Sequence, residues 1–155
     1  MKKIKLISAF LFLIIGIFAT SCSDEDDKTI NNTVDPTPVI NTVNSGNWRV
    51  TLYQDSGVDE TTNFSGYAFS FGAGNVLSAT NGTNTYTGTW SVTSDTSLDD
   101  SSSNDLDFNI AFSTPVTFAD LSDDWNIISY TSTKVELIHV SGGNGGTDYL
   151  TFEKN

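Results

Sequence analysis

The chain of 155 residues holds one histidine, His139, and one cysteine, Cys22, so the chemistry open to it is narrow. Nucleophilic catalysis needs a serine or thiol beside an imidazole base. Serines and aspartates are abundant enough to complete a Ser-His-Asp set around His139, yet no Gly-x-Ser-x-Gly elbow marks a nucleophile. His139 therefore reads as a strand-end residue. Asp99, Asp100, Asp105 and Asp107 contain enough carboxylates for a glycosidase pair, but such a pair must stand about 5 Å or about 6.5–9.5 Å apart across a cleft, which spacing alone does not specify. The stretch Thr93 to Asp105 reads first as a solvated loop. The same carboxylates, or Asp120, Asp123 and Asp124, are hard oxygen ligands of the kind calcium takes. Neither set follows the calcium-loop spacing with its central glycine, and an exposed loop site would bind at the weak, extracellular end of the calcium range. Gly142-Gly143-Asn144-Gly145-Gly146 leads into no helix, so a flexible hairpin tip is expected there, not a phosphate cradle. On these residues the chain is expected to be no enzyme and to use no cofactor and no metal.

Cys22 is too isolated for a disulfide framework and has no second Cys or His at metal-ligand spacing, which leaves attachment as its best use. The residues before it have the form of an export signal: Lys2, Lys3 and Lys5, then an apolar run from Leu6 to Ala19, then small residues up to the cysteine. The run is short of the roughly 20 apolar residues that cross a bilayer core of about 30 Å. Ala19-Thr20-Ser21-Cys22 resembles the bacterial lipobox, in which the cysteine is lipidated and becomes the mature first residue. Ser23-Asp24-Glu25-Asp26-Asp27 resembles the acidic export tag of Bacteroidota lipoproteins. The two resemblances imply a signal peptide over residues 1–21, an acylated Cys22 carrying palmitate-type chains, and a lipid anchor in the outer membrane on its cell-surface face. Each buried CH₂ of such chains contributes about 0.8 kcal/mol, so several chains together anchor stably. The alternative is ordinary secretory cleavage that leaves a solvated acidic leader.

Nineteen acids stand against seven basic residues. Removal of the signal leaves only Lys28, Arg49, Lys134 and Lys154, a net charge of −15. That field repels phosphates, so nucleic acid is not expected as a partner. It also keeps a tethered domain soluble. Residues 22–45 read as an acidic and polar tether, with Pro36, Pro38 and scattered apolar positions under no period. Residues 46–155 remain as one domain of a size that buries its own core.

In that domain the apolar period is two. Trp48, Val50 and Leu52 alternate with Arg49 and Thr51, and Tyr67, Phe69 and Phe71 with Ala68 and Ser70. Tyr86, Gly88, Trp90 and Val92 alternate with threonines and serine, and Leu106, Phe108, Ile110 and Phe112 with Asp107, Asn109 and Ala111. Less regular runs cover Val76 to Ala79, Trp125 to Thr131, Lys134 to Val140 and Asp148 to Glu153. Short, glycine-rich links join neighbours. The expected fold is all-β: a small antiparallel eight-stranded up-and-down barrel, with a two-sheet β-sandwich as the alternative. One segment reads as helical. Thr114-Pro115 suits a first turn, and Thr117 with Asp120 has capping-box spacing, so a short plug is expected.

Gly46-Asn47-Trp48 and Tyr86-Thr87-Gly88-Thr89-Trp90-Ser91-Val92 are similar to the opening and mid-domain strands of short lipocalin-like domains in Bacteroidota lipoproteins. That resemblance covers most of residues 46–154. It implies a lipocalin-like barrel able to bind a small apolar molecule or a glycan. An eight-stranded barrel is just wide enough either to be filled by side chains or to hold one small ligand. The inward set Trp48, Leu52, Tyr67, Phe69, Phe71, Tyr86, Trp90, Leu106, Phe108, Ile110 and Phe112 is crowded, which favours filling. If a ligand binds, polar-tipped aromatics such as Tyr53 and Trp125 are expected to line the mouth. The competing expectation is a structural or accessory cell-surface protein with a filled core.

Overall fold

A computed structural model describes residues 34–94, 106–143 and 145–155. Cys22, the signal over 1–21, the first part of the tether, and Asp99, Asp100 and Asp105 lie outside the described residues. In chain order the elements are α1 (Thr37–Val43), β1 (Trp48–Asp55), β2 (Val58–Asp59), β3 (Ala68–Phe71), β4 (Val76–Thr80), β5 (Thr85–Ser94), β6 (Leu106–Ala111), α2 (Val116–Ala119), β7 (Asp123–Tyr130), β8 (Lys134–Val140) and β9 (Thr147–Lys154). All strand pairs are antiparallel. From β3 to β9 each strand pairs with the next, and β1 closes the sheet by pairing with both β3 and β9. The result is a closed eight-stranded up-and-down barrel of the lipocalin-like kind, with β2 as a two-residue hairpin arm on β1. The two seams at β1 are unequal. Trp48 to Gln54 pair along Tyr149 to Lys154, whereas Trp48↔Phe69 is the single pair to β3.

Period-two alternation turns one face of each strand inward. Trp48, Phe69, Phe71, Trp90, Phe108, Ile110 and Phe112 are buried as expected, and Tyr67, Tyr86 and Leu106 pack against them half-buried. Leu52 departs from the expected set and is exposed. The register of β1 against β9 slips between Val50 and Leu52. Such a bulge adds one residue and reverses the parity that follows, so Trp48 and Val50 point in and then Tyr53, not Leu52. A void large enough for water would leave its walls accessible, yet Phe69, Leu77, Phe108 and Leu150 are 0% accessible. Around these described side chains the interior is packed without water-sized space.

Both barrel ends are closed by short helices. At the lower end, where β1 begins and β9 ends, α1 buries Val39 and Val43. Their spacing of four puts them on one helical face, and proline is tolerated in the first turn because the amide it lacks has no partner there anyway. The folded unit therefore reaches back into residues 37–43, which the aperiodic composition had assigned to the tether. At the upper end α2 inserts Phe118, which is 1% exposed, among Phe64, Tyr67, Phe69, Tyr86 and Phe112. The expected plug is present, but Thr117 lies inside α2 and no side chain caps the helix.

The three indoles fasten these ends. Trp48 Nε1–H donates to the Val43 carbonyl at the end of α1 at 2.9 Å. Trp90 Nε1–H donates to Gly72 in the β3–β4 link at 3.1 Å, and Trp125 Nε1–H to Leu121 just after α2 at 3.0 Å. Each bond satisfies a carbonyl that the end segment itself leaves without a partner.

Candidate functional site

The two residues expected at a ligand mouth are instead part of its closure. Tyr53 is 2% exposed and Trp125 1%, and their rings meet edge to face with centroids 6.5 Å apart. Tyr53 Oη–H donates to the Asp120 carbonyl at 2.7 Å, one residue before the carbonyl that Trp125 holds. Ser122 completes the suture, accepting from the Phe112 amide at 2.8 Å and donating to the Phe112 carbonyl at 3.0 Å. An aromatic with a polar tip suits a mouth, but it suits equally a buried position beside an unsatisfied carbonyl, and the β1 bulge put Tyr53 in the second. Burial, and then the charges of Asp55, Asp120, Asp148 and Glu60, push the Tyr53 phenol well above its ordinary range.

This closure fixes the start of β7 and with it a polar layer on the upper rim. On β8, Val135 and Leu137 point inward, and His139 follows on the same face. Its partner across the β8–β9 hairpin is Asp148, while Asp123 begins β7 opposite the inward Ile110. His139 thus lies above Trp125, with ring centroids 6.2 Å apart. Its Nδ1 is 2.8 Å from Asp123 Oδ2 and 3.7 Å from Asp148 Oδ2, and its Nε2 is 3.9 Å from Asp124 Oδ1. Nδ1 is screened from solvent, yet it makes no hydrogen bond. The 2.8 Å approach is an ion-pair distance.

The surrounding carboxylates are held by backbone amides. Asp123 Oδ1 accepts from the Asp124 amide at 2.9 Å, and Asp148 Oδ1 accepts from the Ser56 amide at 2.7 Å. Burial, and then the side-chain hydrogen bond with Asp124, hold the Asp123 carboxyl above the usual carboxylate range, against the opposing pull of the Asp124 amide and His139. The described basic residues, Arg49, Lys134 and Lys154, belong to the opposite end, where Arg49 pairs with Glu153 and Lys134 with Glu136. Among the described residues nothing basic other than the imidazole faces this layer.

Asp120, Asp123, Asp124 and His139 are all candidates in the sequence, but spacing there joins only the three aspartates. The structure brings Asp123, Asp124 and His139 together, with one donor atom from each within 4.8 Å of the others, and uses Asp120 through its carbonyl. Asp107 lies lower on β6, paired with Thr93 and Asn126. Asp148 was missed, although hairpin register against His139 was the signal that could have found it. Among the described residues no serine hydroxyl is hydrogen-bonded to His139, and the atoms nearest its ring are carboxylate oxygens.

Open grooves lie on the outside of the barrel. One of about 400 Å³ is lined by Thr89, Ser91, Asn109, Ala111 and Ser122, and one of about 420 Å³ by Thr87, Gly88, Ala111 and Ser113. A smaller one of about 190 Å³ runs beside α1. No family model matches the chain, and no curated protein or solved structure matches it.

Proposed function

We propose that this chain is a lipid-anchored accessory protein of the outer cell surface, whose barrel is a filled scaffold working through its outside and its upper rim. The observation that carries the reading is the packing of the interior. Inward aromatics from nearly every strand meet one another, and Phe118 closes the end through which a lipocalin-like barrel would admit a ligand. A small hydrophobic molecule or a glycan would have to use the outer grooves, whose lining mixes threonine, serine and asparagine with Trp90, Ile110 and Ala111. Lipidation at Cys22, a membrane-facing anchor and surface exposure belong to the same proposal. They rest on the signal, the cysteine and the acidic residues that follow it.

Labelled palmitate fed to cells making the chain is expected to enter the wild type and not Cys22→Ala, and protease added to intact cells is expected to remove the barrel. Equal label in both proteins would sink the anchor. Native mass spectrometry is expected to show the barrel without a co-purifying small molecule, and a stoichiometric apolar adduct would overturn the filled-scaffold reading.

A further inference from the structure

We infer that the upper rim is a binding site for a divalent transition-metal ion, Zn²⁺ or Mn²⁺ in chemistry, held by His139, Asp123 and Asp124 with Asp148 as an adjoining carboxylate. The inference does not depend on the lipid anchor.

Geometry separates a metal from a proton here. A proton shared by a ring nitrogen and a carboxylate lies near the line between them, and the pair is then a hydrogen bond. Two ligands each about 2.1 Å from a metal, seen from it at about 90–110°, stand roughly 3.0–3.4 Å apart with the ion off that line. The Nδ1 separation of 2.8 Å to Asp123 falls just short of this range and that of 3.7 Å to Asp148 just beyond it, while Asp124 completes the group with one donor atom from each of Asp123, Asp124 and His139 within 4.8 Å of the others. Nδ1 itself has no hydrogen-bond partner while shut away from solvent, a condition that costs about 1–3 kcal/mol when nothing fills it.

Chemistry selects the class of ion. Imidazole suits zinc, copper, iron and nickel, and carboxylate suits manganese, magnesium and calcium. Calcium takes six to eight oxygens, and a site with one obligatory nitrogen on a rigid strand is poorly suited to it. The supporting atoms are also in place. Asp123 and Asp148 each commit one oxygen to a backbone amide and turn the other toward Nδ1. Outer bonds of this kind orient ligands and raise metal affinity. Trp125 supports the imidazole from below, and Asp124, the exposed member, leaves a side of the site open to water. Several carboxylates near one imidazole, with the basic residues at the far end, concentrate cations at the rim.

The test uses the full chain in detergent without a polyhistidine tag, titrated with ZnCl₂ and separately with MnCl₂ by calorimetry. The expected result is one ion per chain for at least one of the two. Binding should be tenfold or more weaker in His139→Gln and in Asp123→Asn and unchanged in the control Asp59→Asn. A molar excess of CaCl₂ should not displace the ion. Because the chain has a single histidine, its imidazole NMR signals are unambiguous, and they should shift on metal addition in the wild type and in Asp59→Asn. Thermal melts in EDTA establish that the variants are folded, and Asp124→Asn, at an exposed position, serves if either of them is not. Absence of binding by either ion at millimolar concentration, affinity equal in wild type and His139→Gln, or displacement by calcium would each overturn the assignment.

Discussion

Replacement of Phe118 by alanine tests whether the barrel interior is packed through to its upper end. The ring is 1% exposed and stands 4.8–5.9 Å, centroid to centroid, from Tyr86, Tyr67, Phe64, Phe112 and Phe69. Truncation of a buried phenylalanine costs about 3–5 kcal/mol, part in lost transfer energy and part in the cavity left behind. Collapse is resisted here because the surrounding rings belong to separate strands, so the upper half of that range is expected. For about 110 folded residues, at roughly 2.1 cal/mol/K of unfolding entropy each, a loss of about 4 kcal/mol lowers the melting temperature by about 17 °C. Circular dichroism melts of the full chain measure it. Val116→Ala, on the same helix but 78% exposed, is the control and should stay within about 0.5 kcal/mol of wild type. Cavities on the order of 150 Å³ lined by apolar side chains take up benzene, so dissolved benzene is expected to restore part of the lost stability in Phe118→Ala alone. A fall in melting temperature of less than about 5 °C, equal to that of Val116→Ala, would refute the plug and with it the filled interior.

Gly88→Ala is expected to destabilise by about 1–3 kcal/mol, as overpacking does. A Cβ at Gly88 would meet the Ala111 backbone carbonyl and come within 2.8 Å of Phe112 Cδ1, so either the β5–β6 pair or the ring must move. Urea unfolding measures the loss, and a midpoint matching wild type would show that the strands part freely. Tyr53→Phe removes the bond to Asp120 and is expected to cost about 1 kcal/mol at neutral pH. In the fold the Tyr53 phenol titrates above its ordinary value, which is about 10. The stability it contributes is therefore fully present below the unfolded value and is lost as pH rises above it. Wild type should lose stability between pH 9 and 11 more steeply than Tyr53→Phe, and parallel losses in urea midpoints would count against the buried phenol.

The barrel was legible because inward and outward residues alternate cleanly on β3, β5 and β6, where pairing is regular. It became illegible where the ladder slips. One extra residue between Val50 and Leu52 exchanged Leu52 for Tyr53 in the core, and nothing local in Trp48-Arg49-Val50-Thr51-Leu52-Tyr53 announces a bulge, since either parity offers apolar side chains. α1 was hidden for another reason. Its buried pair Val39 and Val43 has helical spacing, but two residues over seven make a weak period, and their burial depends on the barrel floor that receives them. The rim cluster was half legible. Asp123, Asp124 and His139 were each noted, while their union required the order of strands around the barrel, which places the start of β7 beside the end of β8 and the start of β9.

The placement of charge follows from the same closure and bears on what the protein can meet. Both ends are fastened by indole and phenol bonds to backbone carbonyls, and on the filled-scaffold reading proposed above the barrel works through its outside. There the ends differ in sign. Arg49 and Lys134 sit where β1 and β8 begin and pair with Glu153 and Glu136, while Lys154, at the end of β9, donates to the Ser45 hydroxyl over the Trp48 ring. Asp123, Asp124 and Asp148 sit at the other end with only an imidazole among them. A barrel so arranged repels phosphate-bearing partners from its rim and draws cations to it. His139 stands among these carboxylates with its Nδ1 2.8 Å from Asp123, and a cation at the rim, as proposed above, would meet the carboxylates that surround it.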